Sequence, residues 1–307
     1  MCDFELKYIQ LPTGENLSFR QKGKGKKNLI LIHGNYCSSI VWTPIMDALG
    51  EDYKLFAPDL RGFGHSSYHN RGRDLKVYAE DIIAFIEALH LEEVYLLGWS
   101  AGGGVAMEVA AALGKRVQAL VLISSISTRG YRSDYSIPLA MTKLVRFMFP
   151  VPMYFLDNLN LFQKISDITN DRNELGLYLD TLLFNRSTPD REYREACIDA
   201  LLLQRNNLDY WEAMTNFNIT DTGDNIAYGT GRIYDITAPV IVMQGIYDRI
   251  VPFKDAQQIV ADFGEEATLV SFKSSGHCIF LDQPKKFEEN IRWVLEKDFS
   301  MEHLDVS

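Results

Sequence analysis

A series of short apolar runs, separated by longer amphipathic stretches, constrains this chain more than any other feature of it. The runs are Asn28 to Ile32, Leu55 to Ala57, Val94 to Leu97, Leu120 to Ile123, Val240 to Met243 and Leu269 to Phe272. Continuous rather than alternating hydrophobicity is what a strand buried on both faces of a parallel sheet requires. Between several runs the spacing turns helical. Val77 to His90 carries Tyr78, Ile82, Phe85, Ile86 and Leu89 on one face, and Pro284 to Lys297 carries Phe287, Ile291, Val294 and Leu295. Such alternation marks βαβ units that feed a mostly parallel sheet with helices on both faces. Ahead of the first run, Phe4 to Leu11 and Asn16 to Arg20 alternate as strands do, with turn residues Thr13-Gly14-Glu15-Asn16 between them. The chain is therefore expected to open on a hairpin and to build an eight-stranded sheet.

The rhythm breaks once. From about Ser127 to Thr237 the sequence offers only helical segments, such as Ile137 to Phe149, Leu175 to Phe184 and Arg191 to Leu203. The expected organisation is an α/β core of residues 1–126 and 238–307, with a helical cap of residues 127–237 inserted after the sixth strand. Ligands of open α/β sheets bind beyond the carboxyl ends of the strands, so a cap at that place would shape the pocket. A chain of 307 residues has room for one large domain with such an insertion.

The chemistry starts at Gly98-Trp99-Ser100-Ala101-Gly102, directly after the run Val94 to Leu97 and directly before the helix-compatible stretch Val105 to Leu113. A bare G-x-S-x-G arises by chance in roughly one chain of this length in ten, so its strand, sharp turn, helix context supplies the meaning. A nucleophile on so tight a turn takes a strained backbone conformation, and the residues two away on either side must be small to let helix and strand approach. Gly98 and Gly102 meet that need. The backbone N–H of Ala101 would then point to where an oxyanion forms at the helix start. A second donor is expected from the loop after the third strand, Ile32-His33-Gly34-Asn35-Tyr36, through the backbone N–H of Asn35. Tyr36 is expected near the pocket mouth, and His33 reads as a structural hydrogen-bonding residue rather than as the base.

A serine hydroxyl needs a histidine to take its proton, and that imidazole needs a carboxylate to fix its tautomer. Of the six histidines, His277 in Ser274-Ser275-Gly276-His277-Cys278 stands just past the last strand run and before the helix opened by Pro284. Asp248, in Gly245-Ile246-Tyr247-Asp248-Arg249, follows the run Val240 to Met243 and so falls on a loop immediately after a strand. The other place for the acid, after the preceding strand, reads Ile123-Ser124-Ser125-Ile126 and holds no carboxylate. The candidate triad is Ser100, Asp248 and His277, in the chain order Ser, Asp, His.

Other classes find little support. A formal net charge of -10 argues against a protein that tracks nucleic-acid phosphates. No H-E-x-x-H, P-loop or dinucleotide fingerprint occurs, so neither metal nor organic cofactor is expected. Cys2, Cys37, Cys197 and Cys278 are widely separated and read as free thiols. The first residues, MCDFELKYIQLPTG, lack a basic start followed by an apolar core, no run is long enough to span a membrane, and the expected location is cytoplasmic.

From Asn28 to the final helix the chain resembles the α/β-hydrolase superfamily, and Asp59-Leu60-Arg61-Gly62-Phe63-Gly64-His65-Ser66 is similar to that superfamily's turn after the fourth strand. More narrowly, Gly98 to Gly104, Ser127 to Tyr131 and Gly229 to Arg232 are similar to intracellular poly(3-hydroxybutyrate) depolymerases, often labelled enol-lactonases. The resemblance implies an acyl-enzyme mechanism, and with it a serine-dependent ester hydrolase for hydroxyalkanoate oligomers or other short acyl esters. A lactonase, perhydrolase or carbon–carbon hydrolase would use the same apparatus, and a slow or non-catalytic ligand receptor would use the same fold. Trp99 and the cap aromatics Phe147, Phe149, Tyr154, Phe155 and Tyr210 are candidates for an apolar substrate pocket, and each can equally be core.

Overall fold

A computed structural model describes residues 4–131, 172–223 and 226–297. The strands are β1 Leu6–Gln10, β2 Asn16–Lys22, β3 Asn28–Ile32, β4 Lys54–Pro58, β5 Val94–Trp99, β6 Val117–Ile123, β7 Val240–Gly245 and β8 Ala267–Phe272. They form one eight-stranded sheet in the order β1-β2-β4-β3-β5-β6-β7-β8. The opening hairpin pairs antiparallel, with Gln10 opposite Asn16, and β2 pairs antiparallel with β4. All later pairings are parallel, with Ile30 beside Leu96, Leu96 beside Leu120, Leu120 beside Val240 and Val242 beside Leu269.

Each apolar run feeds two cores because successive side chains leave a strand on opposite faces. Ile30, Ile32, Leu96, Leu120, Leu122, Val240 and Val242 enter one core, while Leu29, Leu31, Leu97, Val121, Ile123, Ile241 and Met243 enter the other. Helices α1 Thr43–Leu49, α2 Leu75–Ala88 and α3 Ala101–Leu113 follow β3, β4 and β5. Helix α2 starts where the Asp74 side chain accepts from the Lys76 N–H, and it buries Leu75, Tyr78, Ala79, Ile82, Phe85 and Ile86 on the first face. The larger of these buried apolar side chains contribute about 1.5–3 kcal/mol each, so together they outweigh the roughly 1 kcal/mol of the cap.

Between β6 and β7 the described residues 172–216 are mainly helical, with α4 Arg172–Tyr178, a π-helical turn Leu179–Leu183, α5 Arg191–Leu202 and α6 Asn207–Asn216, whereas residues 217–223 and 226–231 are irregular and lead into a 3-10 turn Arg232–Asp235. The expected helix Ile137 to Phe149, with Phe147, Phe149, Tyr154 and Phe155, lies outside the described residues. Leu175, Leu183, Tyr193 and Ile198 join the second core, whereas Tyr210, Ala213 and Met214 of α6 join the first. The chain therefore crosses from one face to the other between α5 and α6. It is stapled there to the loop after β4: Arg205 N–H donates to Gly62 O (2.8 Å) and Asn206 Nδ2 to Arg61 O (2.9 Å). Helices α7 Phe253–Phe263 and α9 Pro284–Glu296, with the single turn α8 Ile279–Asp282 between β8 and α9, complete the fold.

Candidate active site

Ser100 sits between the last residue of β5 and the first of α3 with φ 56° and ψ −127°. A non-glycine residue in this region carries a strain of roughly 1–3 kcal/mol that the surroundings must hold. They do so through the backbone. Ser100 N–H donates to Ile123 O (2.9 Å), and Ser100 O accepts from the N–H groups of Gly103 (3.0 Å) and Ile126 (3.1 Å). The two flanking glycines are sterically required. A Cβ on Gly98 would lie 2.7 Å from Gly102 O, and one on Gly102 would lie 2.4 Å from Ile32 O. The Ala101 N–H occupies the first turn of α3, where helical N–H groups have no intrahelical acceptor and favour negative charge.

The loop after β3 passes over the serine at contact distance, since a Cβ on Gly34 would stand 2.7 Å from Ser100 Cβ and 3.2 Å from its Oγ. Asn35 follows at once. His33 holds this loop from below: Leu60 N–H donates to its Nε2 (3.0 Å), so the ring proton is on Nδ1, which donates to Gly34 O (2.8 Å). Complete burial lowers the His33 pKa and keeps the ring neutral, in the structural role its sequence position suggests.

The two remaining triad candidates meet across 29 residues of sequence. His277 Nδ1 donates to Asp248 Oδ2 at 2.8 Å, with side chains 2% and 0% exposed. That bond puts the proton on Nδ1 and leaves the Nε2 lone pair as the acceptor. The second carboxylate oxygen accepts from the N–H groups of Ile250 (2.8 Å) and Val251 (2.9 Å), so the loop after β7 folds around its own aspartate. Ser100 and His277 are linked through Trp99, whose indole N–H donates to His277 O at 3.1 Å.

A family model described as alpha/beta hydrolase fold matches residues 27–284. The chain belongs to this family. As an α/β hydrolase it is 28% identical over 283 residues to a non-heme chloroperoxidase of Streptomyces lividans, a match covering 90% of this chain and 95% of that one. It is 26% identical over 262 residues to a pimeloyl-[acyl-carrier protein] methyl ester esterase of Nitrosomonas europaea, covering 85% and 92% of the two chains. An esterase structure from Exiguobacterium antarcticum superposes with a TM-score of 0.73 at 20% identity, covering 94% of this chain and 99% of that one.

Several residues of this hydrolase have structural surroundings that sequence patterns did not convey. Trp99, a pocket candidate that the sequence left equally open as core, is 1% exposed and packs between His277 (5.1 Å between ring centroids) and Phe280 (5.5 Å). Tyr210 is fully buried and meets Phe63 and Tyr78 edge-on, both at 4.8 Å, so it belongs to the first core. Tyr36 is half-buried at φ 55°, and its N–H is held by side-chain oxygens of Asn35 and Gln204. Gln244, at the end of β7, also donates to Asp248 Oδ2 (2.9 Å). Nothing in the sequence separates it from the strand it lies in. Cys37, Cys197 and Cys278 are buried and free. Among the described residues no group of three or more His, Cys, Asp or Glu could hold a metal ion, and no helix is long and apolar enough to cross a membrane.

Proposed function

We propose that this α/β hydrolase cleaves carboxylic esters through an acyl-enzyme on Ser100. The observation that carries the reading is the buried Asp248–His277 bond on the loops after β7 and β8, tied through the Trp99 indole to the strand whose end strains Ser100 into the turn before α3. The Ser100 hydroxyl attacks the ester carbonyl carbon while His277 Nε2 takes its proton. The backbone N–H groups of Ala101 and Asn35 stabilise the tetrahedral oxyanion, an interaction in which each donor is worth on the order of a hundredfold in rate. Collapse breaks the C–O bond, and His277 returns the proton to the departing alcohol. Water, deprotonated by His277, then releases the acid and frees Ser100. Asp248 holds the imidazole in its tautomer, so Asp248→Asn is expected to slow turnover by roughly four orders of magnitude.

Relatives named as esterases favour an ester over other electrophiles. Among esters we propose short acyl substrates, with 3-hydroxybutyrate oligomers as the specific candidate from the glycine-rich strings. Two of those strings have scaffold roles: Arg129 pairs with Asp262 (2.8 Å), and Gly231 N–H donates to Thr220 O (2.7 Å). Substrate choice therefore has to be tested directly. Acid release from a linear 3-hydroxybutyrate trimer and from p-nitrophenyl butyrate, followed in a pH-stat, should be rapid for the native chain and at background for Ser100→Ala. Activity retained in Ser100→Ala would remove the nucleophile assignment. Turnover of the nitrophenyl ester but not the trimer would leave the mechanism standing and discard the hydroxyalkanoate substrate.

A further inference from the structure

We infer that Gln204, from the crossing between α5 and α6, is a positioning residue for the oxyanion donor of Asn35; the inference rests on the ester-hydrolase reading. Its amide grips the loop after β3 with both ends. Gln204 Nε2 donates to Asn35 Oδ1 at 2.8 Å, and Gln204 Oε1 accepts the Tyr36 N–H at 3.0 Å. Asn35 Oδ1 also accepts that N–H at 3.0 Å. Of the two neighbouring N–H groups, that of Tyr36 is thereby committed to the Gln204 and Asn35 side chains. The Asn35 N–H is the one adjoining Gly34, which touches Ser100.

The grip has strain to hold. Tyr36 stands at φ 55°, a conformation that costs a non-glycine residue roughly 1–3 kcal/mol and relaxes unless its neighbours oppose it. Gln204 can oppose it because it is fixed in turn. It is 8% exposed, and the next two residues are bonded to the loop after β4, Arg205 N–H to Gly62 O and Asn206 Nδ2 to Arg61 O. The β4 loop also reaches the β3 loop directly, through the Leu60 N–H on His33. The segment between β6 and β7 thus acts on the reaction itself, by setting the direction of one backbone N–H.

The test compares Gln204→Met, which keeps length and packing but loses both bonds, with Gln204→Glu, which keeps an acceptor for the Tyr36 N–H. In p-nitrophenyl butyrate hydrolysis by the full chain, Gln204→Met should lower kcat roughly 10- to 100-fold, as misplacement of a reacting group by about 1 Å does. KM should change by less than about threefold, because ester binding in the ground state draws little on an oxyanion donor. Affinity for a phenylboronic acid, whose tetrahedral adduct with serine carries the oxyanion, should fall in step with kcat. Gln204→Glu should recover part of both losses. A Gln204→Met kcat within about threefold of the native chain, or a kcat loss with boronic acid affinity unchanged, overturns the inference while Ser100→Ala still shows the reading to hold. If the native chain cleaves no ester, or Ser100→Ala cleaves it as well, the reading fails and the inference falls with it.

Discussion

Gln244 and His277 donate to the same carboxylate oxygen of Asp248, at 2.9 and 2.8 Å, while the other oxygen takes the N–H groups of Ile250 and Val251. A carboxylate bonded on both oxygens cannot rotate about its Cβ–Cγ bond without losing several of these contacts at once. The imidazole therefore meets an acceptor of fixed direction, which is what holding a tautomer demands.

Replacing Gln244 by Met keeps a side chain of similar length and removes the donor to Asp248 and the one to Val251 O. Ester turnover should fall about tenfold, and the fold should survive, since losing bonds of this kind costs roughly 1–3 kcal/mol. Steady-state kinetics beside a thermal melt checks this. Unchanged kcat would mean that the Ile250 and Val251 N–H groups alone fix the carboxylate.

Gly34→Ala tests the closeness of the two loops. The new methyl would stand 2.7 Å from Ser100 Cβ and 3.1 Å from Trp99 O, so the loop after β3 has to lift away from the serine. Overpacking of this kind costs roughly 1–3 kcal/mol, which a domain of this size tolerates. The same displacement carries the Asn35 N–H out of reach of an oxyanion, and kcat should fall a hundredfold or so. A variant as fast as the native chain would show that Asn35 is not the second donor.

The strands and the serine turn were legible because their determinants are local. A parallel strand is buried on both faces and so reads as an apolar run, and the Gly98 and Gly102 requirement lies within two residues of Ser100. Strand ends were less legible: β6 begins at Val117-Gln118 and β4 at Lys54, ahead of their apolar runs, because backbone pairing continues past the apolar residues. Gln244 and Gln204 were illegible for a different reason. Each is a polar side chain whose partner depends on tertiary placement, and Gln204 meets Asn35 across 169 residues of sequence. Trp99 was left open between pocket and core for the same reason, since an aromatic beside Ser100 fits a pocket wall as well as a buried support for His277, and only its tertiary neighbours show the packing on His277 and Phe280.

Acid stability should depend on how α6 is anchored. Asp209 accepts from Arg71 (2.6 and 2.8 Å), from Arg73 (3.1 Å) and from the Tyr68 hydroxyl. Arg71 above all, with Tyr68 and Arg73 and against the effect of burial, holds its pKa down to about 2 from the ordinary 3.8. A lowered pKa gives stability that is complete above the unfolded value and is lost as the pH falls from about 4 toward 2. Arg71 and Arg73 are 64% and 51% exposed, so screening limits the contribution to on the order of 1 kcal/mol. Asp209→Asn should melt lower than the native chain at pH 7 and draw level with it near pH 2. A gap that persists at pH 2 would assign the effect to packing.

Asp255 should act in the opposite sense. It lies in the first turn of α7, where the helix favours a carboxylate by up to about 1 kcal/mol, yet it is only 9% exposed. Burial wins, pushing its pKa up to about 6 from 3.8; Lys254 offsets part of the rise and Asp248 adds to it. A raised carboxylate pKa means that the folded chain must accept an unwelcome charge as the pH climbs, so stability is lost between about pH 4 and 6. Asparagine at this position mimics the protonated acid. Asp255→Asn should therefore match the native chain at pH 4 and exceed it above pH 6, by on the order of 1–2 kcal/mol. Denaturant unfolding at pH 4 and pH 7.5 measures both ends of that window. A variant less stable than the native chain at pH 7.5 would show that the ionised carboxylate serves the helix start more than burial penalises it.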